Sequence, residues 1–375
     1  WTYGAVDPNS GTICLLEMAR AIGAQARAGW RPRRTIVLCS WDGEEYGLLG
    51  STEFGEEHAA DLTARAVAYL NVDVAVAGRD FRVNGSQALT DVVTEAMGDV
   101  DDPSHAGSVL QIARDRAFAD GKADWSRRNR ERRWRGESER PFTYRLPSLG
   151  SGSDYTVFED HLGVPCADLR FEGLEGTYHS IYDDFEYMDR VIDPGYPTHV
   201  ALTDLWSRVT LRLAEAEVLP LHFSATGTFV LDELQGIEER ADDANAGAAD
   251  SLALKADLAP LRTAATRLRD RAQAAEAEIA DRLAAGTLGG DRAARMNAAL
   301  IAVERQFLGD GLPGRTWFRN EVYAPGLNTG YAPVPLPRLG QAVLDRDPAA
   351  YGAALTPVRA AIERAAAAIE RMMAQ

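Results

Sequence analysis

Four carboxylates and one imidazole stand out by their settings. Asp7 lies in a glycine- and proline-rich turn, Glu44 and Glu45 follow one apolar run, Asp73 ends another, and His179 sits in a loop of small and polar residues. Borderline cations such as zinc take this mixture of oxygen and nitrogen donors. A carboxylate has two oxygens, so one Asp of the set could bridge two ions about 3.5–4 Å apart, the arrangement of two-metal hydrolases. Two four-coordinate ions that share such an Asp and a water need four further ligands, and Asp7, Glu45, Asp73 and His179 leave three once one Asp is shared. A second histidine is the natural fourth, but His58, His105, His161, His199 and His222 all have ordinary helix or loop settings. The adjacent glutamates can divide labour, one gripping a metal and the other moving a proton. Taken alone, the doublet reads as the acidic first turn of a helix, favoured by the helix dipole.

These residues need elements to position them. Residues 1–11 are turn chemistry around Asp7; Asp7-Pro8 is a bond that admits the cis form, and Ser10 is placed to cap a helix over Ile13 to Ala28. Thr35 to Trp41 and Ala66 to Asp73 read as successive strands of a β-α-β unit, each ending at carboxylates, with a helix from Ser51 or Thr52 between them. Open α/β sheets bind ligands at such carboxyl edges. Phe81 to Val83 reads as a short strand and Leu89 to Met97 as the start of a helix, whereas 103–148 is less regular. The arginine-rich stretch Trp125 to Arg135 reads as a solvated surface and not as an RNA patch. Ser148 to Asp154 is a glycine-serine turn without the lysine of a P-loop; it could offer backbone groups, including those of Gly152 and Ser153, to a peptide. A helix over Tyr155 to His161 and a strand over Gly163 to Phe171 lead into the loop 172–184 that carries His179.

Asp193 to Leu219 predicts a long amphipathic helix closed by Pro220, and the domain boundary is placed there, giving 1–219 as an α/β domain and 220–375 as a helical one. Leu254, Leu258, Leu261, Ala265, Leu268, Ala272, Ala275 and Ile279 form a seam at spacings of three and four. Asp291 is placed to cap a following helix to Phe307, and Pro348 to Met373 predicts the last. Between them, Leu308 to Pro337 is a loop-like excursion that contains Tyr323, Asn328 and Tyr331, of a length usually met in functional loops.

Composition excludes some partners. The 375 residues carry 46% hydrophobic and 26% charged side chains, ordinary for a globular chain with a full core. A net charge of -16 speaks against nucleic acid and against an anionic membrane surface. Cys14, Cys39 and Cys166 have no metal or disulfide spacing and read as small buried hydrophobes. No run reaches transmembrane length. The opening at Trp1, without a methionine or a signal-peptide pattern, reads as a piece of a longer protein, so the compartment is not legible from it.

Several segments together carry a resemblance. GxxDPxSG (Gly4 to Gly11), GWRPRRTIVLCSWDGEEYGLLGSTEF (Gly29 to Phe54), the Asn71-Val-Asp73 strand end, LGSGSD (Leu149 to Asp154) and YHSIYDD (Tyr178 to Asp184) closely resemble the co-catalytic zinc peptidases typified by glutamate carboxypeptidase II, a family that includes the transferrin receptor. The likeness runs through the helical region. It implies an α/β fold, a zinc-aminopeptidase-like sheet flanked by helices, followed by an all-α helical-bundle domain that forms a homodimer. It implies a zinc-dependent exopeptidase acting on peptides. Asp7 would bridge two zincs, Glu45 and His179 would complete one site, and Asp73 would serve the other. Glu44 would be the general base and Tyr178 the donor to the developing oxyanion. Glu53 and Glu56 would belong to a structural calcium site. Arg82, Gly152, Ser153, Arg170 and Tyr331 would line the substrate pocket.

The chain also departs from that pattern. The family's first zinc histidine would fall just before Trp1, so the resemblance implies an impaired Asp73 site in this chain, which should then bind about one zinc tightly. Asp168 replaces a third arginine of the specificity patch, Ser153 an asparagine, and Gly330 a lysine. Glutamate specificity is therefore not carried over. Aminopeptidase action, or a non-catalytic receptor-like role, are the alternatives; retention of Asp7, Glu44, Glu45, Asp73 and His179 argues against the second.

Overall fold

Alternation builds the sheet. Strand β2 (Asp80–Gly85) buries Phe81, Val83 and Gly85 and leaves Asp80, Arg82 and Asn84 part-exposed. Strand β3 (Cys166–Glu172) buries Leu169 and Phe171 on one side and carries Asp168, Arg170 and Glu172 on the other. A computed structural model describes residues 2–374 apart from 135, 137, 140, 174 and 247–252. In it, β2 runs antiparallel to β3, with Asp80 opposite Glu172, Arg82 opposite Arg170 and Asn84 opposite Asp168. Strand β1 (Tyr69–Asn71) runs parallel to β3 on its other side, with Asn71 opposite Asp168. The order is β1-β3-β2.

The two faces differ because the period-2 pattern is kept in register across the pair. Phe81, Val83, Leu169 and Phe171 share one apolar cluster with Cys14 and Met18 of α1 (Asn9–Arg27) and with residues of α4 (Thr90–Gly98) and α7 (Pro197–Glu215). The opposite face starts under a smaller apolar cluster, which includes Tyr155, Phe158 and Cys166 and packs against Trp41 and Tyr69. Toward the carboxyl ends of β1 and β3 that face becomes polar and carries the site. Helices α2 (Leu49–Glu57) and α3 (Ala59–Arg65) lie between the acidic doublet and β1; α5 (Val109–Trp134) follows α4, and α6 (Phe185–Tyr187) is a single turn.

Beyond α7 the chain is helical: α8 (Phe223–Asn245), α9 (Ala259–Ala284), α10 (Gly290–Arg305), α11 (Pro337–Leu344) and α12 (Pro348–Met373). Helix α9 packs against α8 and α12, and α12 also meets α10 and α11. The predicted seam is the buried stripe of α9, through Leu261, Ala265, Leu268, Ala272 and Ala275, while Leu254 and Leu258 are buried ahead of the helix. The result is a helix-rich chain with a small mixed sheet and a helical C-terminal region.

Some expectations change. Thr35 to Trp41 forms no strand: the run makes no sheet ladder among the described residues, and Val37 is 69% exposed. β-Branched residues dictate an extended backbone, but a strand also needs a neighbour for its N–H and C=O groups. The doublet therefore sits in a single 3-10 turn, Glu44–Tyr46, between Gly43 and Gly47, both at positive φ. Helix α1 begins at Asn9, and Ser10 does not cap it; its hydroxyl is buried in another task described below. Helix α10 starts after Gly289 with no side-chain cap from Asp291. The arginine-rich stretch is the end of the long helix α5; its last residue, Arg135, lies outside the described residues.

Candidate metal centre

The site is assembled by ties between loops. Asp183 is 1% exposed, and its two carboxylate oxygens accept from the N–H groups of Val6 (2.7 Å) and Asp7 (3.1 Å). It lies four residues after His179, so one buried carboxylate locks the Asp7 turn to the histidine loop. The Ser10 hydroxyl donates to the Val6 carbonyl (2.5 Å) and accepts from Ala75 N–H (2.9 Å) and Val76 N–H (3.2 Å). Gly11 lets α1 approach the chain after β1: a Cβ there would lie 2.6 Å from the carbonyl oxygens of both Val72 and Asp73. These contacts bring Asp7 and Asp73 to one place. The Asp7-Pro8 bond is cis.

His179 Nε2 lies 3.0 Å from Asp7 Oδ2 and 3.0 Å from Glu45 Oε1. Asp7, Glu45 and His179 each present a donor atom within 4.8 Å of the others. Tetrahedral zinc with bonds of about 2.0–2.1 Å separates its ligand atoms by roughly 3.3–3.4 Å, so these three need to move little to share one ion. His179 adopts a left-handed backbone (φ 56°), a conformation that surrounding structure must enforce in a non-glycine residue. The Tyr178 ring stacks on its imidazole, with centroids 3.7 Å apart.

Asp73 stands outside that triad, at the end of a directed hydrogen-bond chain. Trp41 Nε1–H donates to the Tyr69 hydroxyl (3.0 Å), and that hydroxyl donates to Asn71 Oδ1 (3.0 Å). Asn71 Nδ2 donates to Ser153 Oγ (3.1 Å) and to Asp168 Oδ1 (2.9 Å), and the Ser153 hydroxyl donates to Asp73 Oδ2 (2.6 Å). Every donor and acceptor along the chain has its complement, which fixes the Asn71 amide orientation. It also couples Trp41, three residues before Glu44, to Asp73.

The charges do not balance without a cation. Burial, then the Asp73 and Glu45 charges, push Asp7 up to about 6 despite the opposing imidazole. Burial, then Asp73, Asp154, Glu45 and Asp7, push Glu44 up to about 8. Asp73 is raised mainly by burial, against the Ser153 hydrogen bond, and burial pushes Asp154 up to about 6. Such mutual elevation marks carboxylates crowded for a purpose. A divalent cation between them would reverse it, and the N,O,O donor set suits zinc. Burial and the Asp7, Glu45 and Asp73 charges push the Tyr178 phenol up to about 12, so it stays protonated as a hydrogen-bond donor.

The remaining expected residues divide. Arg82 and Arg170 lie on the polar sheet face, Arg170 Nη1 2.5 Å from Asp168 and its Nε 2.6 Å from Glu172. Gly152 N–H donates to the Tyr155 hydroxyl (3.0 Å), and Tyr331, 73% exposed, comes from the C-terminal excursion to cover this turn. Gly150 makes that possible, since a Cβ there would lie 1.7 Å from the Tyr331 carbonyl oxygen. Glu53 and Glu56 are exposed on α2, and Glu56 accepts from Trp317 Nε1 (2.6 Å). Sequence reasoning missed Asp183, Asn71, Asp154 and Glu172 as participants. Asp183 and Asn71 stood inside recognised motifs, but only the fold shows their carboxylate and amide turned inward.

The sequence is similar to those of known proteins. Residues 1–193 match peptidase family M28, and residues 256–373 match the transferrin receptor-like dimerisation domain. The chain is 34% identical over 344 residues to a probable glutamate carboxypeptidase, LAMP1, of Arabidopsis thaliana, covering 92% of this chain and 45% of that one. It is 31% identical over 336 residues to aminopeptidase NAALADL1 of Rattus norvegicus, covering 87% and 42%. A vacuolar protein sorting-associated protein 70 of Saccharomyces cerevisiae is 35% identical over 219 residues, covering 57% and 24%. The chain thus spans less than half the length of these relatives. Among the described residues no helix is long and apolar enough to cross a membrane.

Proposed function

Since the chain belongs to peptidase family M28, we propose that it carries the chemistry of a zinc-dependent, carboxypeptidase-like exopeptidase. The observation that supports this most is the His179 imidazole held 3.0 Å from both Asp7 and Glu45, beside an uncommitted Glu44. Asp7, Glu45 and His179 would hold one zinc, with Asp7 also facing Asp73 for a second. Bound there, zinc supplies Lewis acidity at the scissile carbonyl. Glu44 takes the proton of the attacking water and returns it to the leaving amine. Tyr178 donates its phenolic hydrogen to the oxygen on which charge develops. Asp183 and Ser153 position Asp7 and Asp73 and touch no reacting atom.

The same reading divides the chain near Pro220 into an α/β peptidase domain and a helical domain that pairs two copies. Release of a terminal amino acid from short peptides is the test. Hydrolysis should require metal, and Glu44→Gln should lower kcat by about 10²–10⁴-fold. Undiminished turnover by Glu44→Gln after chelation would refute the proposal.

A further inference from the structure

The polar sheet face holds a selectivity device. Arg82, Arg116 and Arg170 are the guanidinium groups the described residues place there, and each is already paired with a carboxylate. Arg116 binds Asp80 (2.6 Å). Arg170 is clamped between Asp168 Oδ2 (2.5 Å) and Glu172 Oε1 (2.6 Å), while the other Glu172 oxygen lies 3.6 Å from Arg82 Nε. The clamp is built in. Asp168 is buried, and its second oxygen is held by Asn71 Nδ2 at 2.9 Å, so it cannot swing away from Arg170 without breaking that bond.

This patch opens onto the metal centre. Asn71 donates to Asp168 with one amide hydrogen and to Ser153 with the other, and Ser153 donates to Asp73. Arg170 is thus two side chains from the hydrogen-bond partner of Asp73. Asp168 and Asn71 are also direct neighbours across β1 and β3. An anionic group arriving here meets guanidinium groups that already face carboxylates, beside a centre that gathers Asp7, Glu44, Glu45, Asp73 and Asp154. Releasing a guanidinium to an incoming carboxylate would leave Asp168 buried and unpaired, an outcome that low-dielectric surroundings penalise.

Resting on the exopeptidase reading, we propose that Asp168, seconded by Glu172, is the specificity-determining residue of this pocket: it holds Arg170 in an internal ion pair, and the pocket selects uncharged over acidic side chains. The selectivity follows from which charges are committed, not from the presence of arginines.

N-acetyl-L-glutamate and N-acetyl-L-glutamine share an α-carboxylate and differ only in side-chain charge. Their binding to the zinc-loaded protein, measured by calorimetry, tests the proposal. The wild-type protein should favour the glutamine derivative by about threefold or more, and Asp168→Asn should shift the ratio toward the glutamate by about tenfold or more. Glu172→Gln, at a half-exposed side chain, should shift it the same way by less, and serves if Asp168→Asn does not fold. Equal binding of the two probes by the wild-type protein, or a preference for the glutamate, overturns the proposal. So does an unchanged ratio in both variants, or binding of neither probe by any of the three proteins. Neither probe need be cleaved. A shifted ratio without hydrolysis of any peptide would sink the exopeptidase reading and leave the selectivity standing.

Discussion

Asp7, Glu44, Glu45 and Asp73 crowd around an imidazole that solvent reaches, whereas Glu159, Asp160 and Glu304 crowd where solvent does not. The first group is tied by directed bonds: Asp183 holds the Asp7 turn and Ser153 holds Asp73. The second has few ties. Glu159 accepts from the Ser86 hydroxyl (2.7 Å), but its other oxygen, both oxygens of Asp160 and both of Glu304 have no hydrogen-bond partner among the described residues. Burial raises the pKa values of Asp7, Glu44 and Asp73 in the first group and of Glu159, Asp160 and Glu304 in the second, and the two groups must be neutralised differently. The open cluster can take a divalent ion from solution and present shaped donors to it. The sealed cluster is left to protons and to the neighbouring Arg305 and Arg315: burial, then the Ser86 hydrogen bond opposing it and the Glu304 charge, leave Glu159 at about 8, and burial, opposed by Arg305, leaves Glu304 at about 8. Crowded carboxylates make a candidate metal site only where loops orient them and solvent can deliver the ion.

Short of removing a ligand, the largest break in this contrast is expected from Asp183→Ala. It removes two backbone hydrogen bonds from the Asp7 turn and touches no reacting atom. Outer-shell losses of this kind cost about 10–100-fold in metal affinity. Affinity equal to wild type, measured by chelator competition, would show that the Asp7 turn holds itself.

A second test addresses the sealed cluster through pH. Glu304 has a folded-state pKa raised from 4.5 to about 8, so its contribution to stability is complete below pH 4.5 and is lost as pH rises toward 8. Denaturant unfolding should therefore show stability falling across that window, and Glu304→Gln should flatten the fall. A slope unchanged by the substitution would mean that the carboxylate ionises in place with a counter-charge.

The smallest effect is expected at Ser153→Ala, which deletes one hydrogen bond to Asp73. Bonds to charged groups contribute about 1.5–3 kcal/mol, and solvent entering beside Asp73 should return most of that. A loss of zinc affinity of about threefold to tenfold is expected. A loss as large as that of Asp183→Ala would place Asp73, and not Asp7, at the centre of the site.

Much of this was legible in the residues. The turn around Asp7, the doublet, the Asn71-Val-Asp73 end and the YHSIYDD loop are local signals, and the last helix and the α9 seam follow from periodicity. What was not legible depends on contacts between distant segments. The Thr35 to Trp41 run has strand chemistry but no neighbouring strand, and pairing is not written in a local pattern. Ser10 has capping chemistry, yet it bonds residues 75 and 76 because α1 packs on the end of β1. Arg82 and Arg170 read as pocket arginines with Asp168 replacing a third, but only the sheet register shows Asp168 and Glu172 beside them. Residue types announced the chemistry; register and burial decided which charges were free to perform it.

The central claim is that His179 joins Asp7 and Glu45 as a zinc ligand. Competition with a chromophoric chelator, for wild type and His179→Ala, tests it most directly. The account predicts that the substitution weakens zinc binding by more than the roughly 10–100-fold cost of an outer-shell loss, with the fold intact by circular dichroism. Zinc bound by folded His179→Ala as tightly as by wild type would contradict it.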